Sequence, residues 1–229
     1  TNDRDSRALV LRRYLSPERL APYVQAAGGL NAAEELYGWN LAISGAFYEV
    51  LGAFEVTLRN ALHAQLTAWH GQRAGAWYDD PRRVLSEKSR EDVQAARDRV
   101  RRLDRPETPG RVVAELGFGF WRFLLAGQYE KTLWTPHLRH GFPHLRPQSR
   151  RDVHDRVARL NRLRNRVAHH EPIHGRNLAG DHDDLLAVAA WMHPTVAEWI
   201  ADLSRVPAVW RRGPRPKHDD VLVAGALLG

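Results

Sequence analysis

Apolar residues recur at helical spacing along the whole chain, and no segment alternates apolar and polar positions as a half-buried strand would. This pattern predicts an all-α fold. One long helix is expected from Asn31 to about Trp69, interrupted at most near Gly45 or Gly52. Its apolar stripe is expected in the core: Leu51, Phe54, Leu58, Leu62 and Leu66.

Capping residues place the ends of several helices. Ser16 as N-cap and Pro17 as the first helical residue predict a helix that stops at the Gly28–Gly29 pair. Asn31 opens a capping-box pattern for the long helix. The remaining helices are expected at about 86–103, 112–116, 120–134, 149–171, 182–192 and 194–204.

These elements predict one helical domain over residues 31–205, an N-terminal helix within 1–30 and an irregular tail over 206–229. The N-terminus lacks the layout of a signal peptide, and no uninterrupted apolar run reaches the roughly 18 residues that a membrane helix requires. We therefore expect a cytoplasmic protein without membrane contact.

Charge and cysteine content narrow the function. The chain has 34 Lys and Arg against 27 Asp and Glu, a formal net charge of +7, which favours a polyanionic partner such as RNA. It has no cysteine, which excludes disulfides, thiolate zinc sites and thiol nucleophiles.

The side chains best suited to chemistry lie near the end of the helix expected at 149–171. Asn165 and His169 are one helical turn apart and share a face, with Arg164 at its edge. Arginine can hold a phosphate through two hydrogen bonds, histidine exchanges protons near neutral pH, and asparagine can orient the imidazole or a ribose hydroxyl. The set suits phosphodiester chemistry. The apolar stripe of this helix points elsewhere: Val153, Val157, Leu160 and Leu163.

The pattern R-N-x-x-x-H near a helix end resembles the signature of HEPN ribonucleases. The longer RNRVAHHEPIHGR is similar to their Abi-like branch, which is associated with bacterial abortive infection. Flanking segments resemble the same branch in order, including ELGFGFWRFL, WMHPTVAEWI and a Glu-x-x-Leu-Arg element at Glu55, Leu58 and Arg59. The likeness covers roughly residues 30 to 205.

The resemblance implies a HEPN-type helical bundle with additional helices. It also implies an endoribonuclease toxin that uses no metal or cofactor and cleaves RNA by attack of the ribose 2′-hydroxyl. His169 would be the acid–base group, Arg164 the phosphate clamp and Asn165 the orienting residue. A homodimer with two facing motifs is expected, and a separately encoded antitoxin is a further candidate partner. Supporting roles fall to His170, Glu55 and Arg59.

Several of these residues also have a structural interpretation. The basic face of Arg159, Arg162 and Arg166 is either an RNA track or a solvated surface. Glu55 and Arg59 have the spacing of an intrahelical ion pair. The motif itself could cap the helix carbonyls, in which case the domain would be a catalytically inactive module that binds RNA or protein.

Three further patterns bear on the ribonuclease interpretation. His170-Glu171-Pro172-Ile173-His174 matches the zinc-protease pattern H-E-x-x-H, but Pro172 prevents the continuous helical turn that this chemistry needs. The proline-rich loop with His137, His140 and His144 is expected to be surface rather than a metal site. Residues 59–63, with the sequence RNALH, echo the motif one residue too short and are not counted as a second site.

Overall fold

A computed structural model describes residues 3–71, 73–80, 82–102 and 106–214. Within these ranges the chain is all-α, as the sequence predicts, and no residue is in a strand. The α-helices are α1 (Asp3–Leu15), α2 (Pro17–Ala27), α3 (Leu30–His70), α4 (Glu87–Arg102), α5 (Pro109–Glu115), α6 (Phe118–Leu124), α7 (Arg150–Ala168), α8 (Leu178–Met192), α9 (Pro194–Leu203) and α10 (Val206–Arg211).

Helix α2 begins and ends as its capping residues predict. The Ser16 hydroxyl accepts a hydrogen bond from the backbone N–H of Arg19 at 3.3 Å, and Pro17 occupies the first helical position. Gly28 adopts a left-handed conformation with φ of 76°, and its N–H donates to the Val24 carbonyl at 2.9 Å. The tight turn allows α3 to begin two residues later.

Helix α3 is continuous, and neither Gly45 nor Gly52 interrupts it. Its predicted apolar stripe is buried, since all five members are at most 2% exposed. The predicted capping box at Asn31 is wrong. The helix starts one residue earlier, because the Gly29 carbonyl already accepts the N–H of Ala33 at 2.9 Å.

Helix α3 is also long and apolar enough to cross a membrane, judged by length and composition alone. The core helix of a soluble protein and a signal sequence pass the same test, and 39% of the most apolar window of α3 is buried. The cytoplasmic location and the lack of membrane contact stay predictions.

The described residues form two compact units, and the domain boundaries expected at residues 30 and 205 stay predictions. The first unit comprises residues 3–49, 164–178 and 204–214. Its core includes Tyr23, Ala33 and Leu36. Trp39 packs against Trp210 of α10 with ring centroids 5.8 Å apart, and it donates from Nε1 to the Val209 carbonyl at 3.1 Å.

The second unit comprises the described parts of 50–163 and 179–203. Its core contains an aromatic cluster in which Trp77 and Phe120 both pack on the fully buried Trp121. The predicted stripe of α7 is buried as well, since Val153, Val157, Leu160 and Leu163 are 0% exposed. Because α7 packs through this stripe, its other faces are left for polar side chains.

Three elements differ from the sequence-based expectation. The N-terminal segment contains α1 in addition to α2, and the tail expected to be irregular begins with α10, with Pro207 in its first turn. The α-helix expected over 120–134 ends at Leu124. The chain then forms a 3₁₀ turn and a π turn. Tail residues beyond 214 lie outside the described ranges.

Candidate active site

The candidate motif spans the last turn of α7 and the residue that follows it. Arg164 is half-buried, whereas Asn165 and His169 are exposed. Although α7 ends at Ala168, the N–H of His169 still donates to the Asn165 carbonyl at 3.0 Å. The two residues therefore keep helical spacing and lie about 40° apart around the helix axis, which follows from about 100° per residue.

A left-handed turn at His170 ends the helix. His170 has a φ of 55°, and its N–H donates to the Val167 carbonyl at 3.2 Å. The N–H of Glu171 reaches back to the Arg166 carbonyl at 2.8 Å. These two bonds form a Schellman motif, in which the left-handed position is usually glycine. The carbonyls of Arg166 and Val167 are thus satisfied by backbone donors.

Side chains from α2 and α3 hold the segment that follows. Arg19 donates from Nη1 to the His170 carbonyl at 2.6 Å. Asn40 is 2% exposed, and its Oδ1 accepts the N–H groups of Ile173 at 2.8 Å and His174 at 3.2 Å. Sequence reasoning missed Arg19 and Asn40, which lie 151 and 133 residues from their partners, and no local pattern marks them.

Arg166 supports the same segment. Its Nη1 donates to the Pro172 carbonyl at 3.1 Å, and its Nε lies 3.4 Å from a carboxylate oxygen of Glu171. The side chain is about half exposed, so a contact with RNA stays a prediction. Through these two contacts Arg166 stabilises the turn beside His169 and His170.

The other two arginines of the proposed RNA track lie earlier on α7 and differ from each other. Arg159 donates from Nε to Asp184 of α8 at 2.6 Å, and Arg156 bonds the other oxygen of that carboxylate. The hydrogen bond with Asp184 raises the pKa of Arg159. Arg162 is exposed. Arg159 therefore joins α7 to α8 in addition to any role with RNA, which the sequence did not indicate.

The ion pair expected between Glu55 and Arg59 stays a prediction. Arg59 donates from Nε to Oδ1 of Asn60 at 3.4 Å. Both Glu55 and Arg59 are half-buried on α3. Their supporting role in catalysis stays a prediction.

The zinc-protease pattern lies outside any helix. Residues 170–174 form turns and irregular backbone after α7, so the two histidines do not lie on one helical turn. The ring of His174 packs on Tyr23 with centroids 5.1 Å apart, and burial lowers its pKa. Among the described residues, no group of three His, Asp or Glu side chains is placed to hold a metal ion.

The histidine loop expected at the surface forms a cleft of about 410 Å³ lined by His140, Pro143, Arg146 and Gln148. His137 turns away to pack on Trp69 with ring centroids 5.9 Å apart. None of these residues belongs to the motif of α7, so cleft and candidate motif are separate features.

Comparison with family models, with curated proteins and with solved structures found no match for this chain. The function is therefore inferred from the residues of the motif and from their surroundings.

Proposed function

We propose that this protein is a metal-independent endoribonuclease toxin of the HEPN type, acting in phage defence or in a toxin–antitoxin system. The observation that carries the proposal is the placement of Asn165 and His169, both exposed and one turn apart, beside Arg164 at the end of α7. The R-N-x-x-x-H pattern, the ordered flanking segments and the net charge of +7 support it.

In the proposed reaction a base removes the proton of a ribose 2′-hydroxyl, and the 2′-oxygen then bonds to the adjacent phosphorus. The bond from phosphorus to the 5′-oxygen breaks, and an acid protonates that oxygen. The products are a 2′,3′-cyclic phosphate and a 5′-hydroxyl. His169 exchanges one of these protons, Arg164 neutralises the phosphate, and Asn165 orients the imidazole or the ribose.

A single motif supplies only part of this machinery. One His169 cannot act at both ends of the scissile bond at once, and an exposed helix end does not exclude water from the reaction. A homodimer would bring a second His169 and a second wall to the same cleft. The exposed His170 is the alternative source of the second proton-transfer group within one chain.

The second candidate function is a catalytically inactive module of the same type that binds RNA or a protein, for which an antitoxin would be one partner. The hydrogen bonds that hold residues 170–174 favour it as much as they favour catalysis, because a rigid turn is equally useful for binding. Cleavage is therefore the property that separates the two candidates.

Incubation of the pure protein with total RNA in EDTA tests the proposal. We expect cleavage that persists in EDTA and leaves 2′,3′-cyclic phosphate ends. We expect His169→Ala to reduce the rate at least about 100-fold, because proton transfer by a positioned side chain contributes about 10²–10⁴-fold. Its melting temperature should change little, since His169 is exposed.

Arg102→Gln serves as the matched control, because it changes an exposed polar side chain at the end of a different helix, α4. Intact RNA under every condition would leave the binding module as the better description. Cleavage that His169→Ala does not reduce would remove His169 from the assigned role.

A further inference from the structure

The shortened echo of the motif on α3 has a defined geometry. Arg59, Asn60 and His63 lie within about 100° of one another around the helix, given about 100° per residue. Arg59 and His63 are half-buried and Asn60 is exposed. Because the Arg59 Nε–H donates to Asn60 Oδ1 at 3.4 Å, the guanidinium is oriented while its terminal nitrogens are not used in this bond.

Trp77 fixes the tautomer of His63. Its indole Nε1–H donates to His63 Nδ1 at 2.9 Å. An indole nitrogen can only donate, so Nδ1 must be the unprotonated acceptor and the neutral ring carries its proton on Nε2. The Thr67 hydroxyl lies 3.5 Å from the same Nδ1. His63 is thereby a hydrogen-bond donor through Nε2.

The surroundings also disfavour the charged form of His63. Burial, and then the neighbouring positive charge of Arg59, lower the pKa of His63. The cluster therefore offers a guanidinium, a neutral N–H donor and an amide NH₂, which together suit an anion with several acceptor oxygens.

We propose that Arg59, Asn60 and His63 bind a phosphate group of the RNA strand, forming a subsite that is distinct from the motif on α7. The RNA source of the phosphate rests on the proposed function. Arg59 supplies the positive charge, His63 donates through Nε2 without carrying a charge, and Asn60 holds Arg59 through Oδ1 while its NH₂ can donate. The Trp77 contact preserves the donor tautomer of His63.

Histidine-to-amide variants can test the two ring nitrogens separately. In His63→Asn the side-chain oxygen can still accept from Trp77 near the position of Nδ1, but the Nε2 donor is lost. In His63→Gln an amide N–H can reach the position of Nε2. We expect His63→Asn to weaken RNA binding about tenfold, the scale of a hydrogen bond to a charged group, and His63→Gln to retain more of the affinity.

The binding probe is a single-stranded 2′-O-methyl oligoribonucleotide of mixed sequence, which lacks the attacking hydroxyl and stays intact. Affinity is measured by fluorescence anisotropy over a range of salt concentrations. Arg59→Gln should weaken binding and reduce the slope of log affinity against log salt by about 0.7, the value per phosphate of a single strand. His63→Asn should weaken binding and leave the slope unchanged, because a neutral donor releases no counterion.

Arg102→Gln is the control for Arg59→Gln, because it removes the same charge at a position outside the proposed subsite. The melting temperature of each variant checks its fold. Unchanged affinity in both Arg59→Gln and His63→Asn would overturn the proposal. A reduced salt slope in His63→Asn would overturn the neutral-donor role. The same titration with inorganic phosphate distinguishes the source: variants that lose phosphate binding but bind the oligonucleotide normally would overturn the assignment to RNA.

This experiment is independent of catalysis. If the protein binds the probe through these residues but does not cleave total RNA in EDTA, the phosphate subsite is supported and the proposed ribonuclease activity is contradicted. If the protein cleaves RNA and all three variants bind the probe as well as the unchanged protein does, the ribonuclease activity is supported and the subsite is contradicted.

Discussion

At the scale of single residues, His170 is the clearest case of backbone strain beside the candidate site. Its φ of 55° places a side chain with a Cβ in the left-handed region, where such a residue loses about 1–2 kcal/mol relative to the right-handed conformation. The adjacent His169 keeps helical spacing. The chain thus tolerates strain at the position that ends the motif, as functional sites commonly do.

We predict that His170→Gly is more stable than His170→Ala by about 1 kcal/mol, because glycine adopts this conformation without a Cβ penalty while both variants remove the imidazole. The free energy of unfolding in urea measures the difference. Ala168→Gly is the control with the opposite sign, since residue 168 is still helical and glycine there costs about 0.5–1 kcal/mol. Equal stability of the two His170 variants would mean that the turn relaxes without strain.

At the scale of elements, the segment after α7 depends on one buried asparagine of α3. Asn40 is the acceptor for the N–H groups of Ile173 and His174, and Ile173 is fully buried. We predict that Asn40→Ala destabilises the protein by about 1–3 kcal/mol, the cost of leaving a buried donor unpaired. Amide hydrogen exchange at Ile173 should accelerate relative to amides in the middle of α3.

Asn40→Asp is the matched variant, because a carboxylate oxygen can accept the same two N–H groups. It should keep most of the protection at Ile173. If exchange at Ile173 were as slow in Asn40→Ala as in the unchanged protein, the hydrogen bonds from Asn40 would not be what holds this segment.

Helices with caps and periodic stripes could be predicted from the sequence, and those without could not. Ser16 and Gly28 mark the ends of α2, and the stripe of α7 gives its buried side. Helix α1 is rich in charged residues and lacks a periodic apolar face, and its visible anchor is an ion pair from Arg7 to Glu34 of α3 at 2.5 Å. Such a tertiary contact leaves no local signal.

The candidate site also combines features that local sequence predicts with contacts that it does not predict. The shared side of Asn165 and His169 follows from helical spacing alone. The bonds from Arg19 and Asn40 to the segment after α7 join residues more than 130 positions apart in the chain. A pattern within one helix cannot contain them. The Trp77 bond that fixes the tautomer of His63 spans 14 residues and an irregular segment, and it is equally invisible in the sequence.

At the scale of the whole molecule, burial lowers the pKa of several histidines below the ordinary value of 6.5. In the unfolded chain these side chains regain ordinary pKa values, so the unfolded state binds protons first as the pH falls. The stabilising effect of keeping them neutral is complete above the unfolded pKa, and it is lost as the pH falls from the unfolded pKa through the lower folded pKa. The group comprises His63, His137, His174 and His182.

We therefore predict that the free energy of unfolding decreases as the pH falls from about 7 to about 5, in the window set by the histidine pKa values. Urea unfolding at a series of pH values measures it. Replacing His137 and His174 together by glutamine should flatten the dependence, because neither replacement can take up a proton. Glu49 adds nothing in this window: the hydrogen bond from Arg205 lowers its pKa, so its contribution is lost only at more acidic pH. A free energy that stays constant or rises on acidification would mean that the buried histidines become protonated without unfolding.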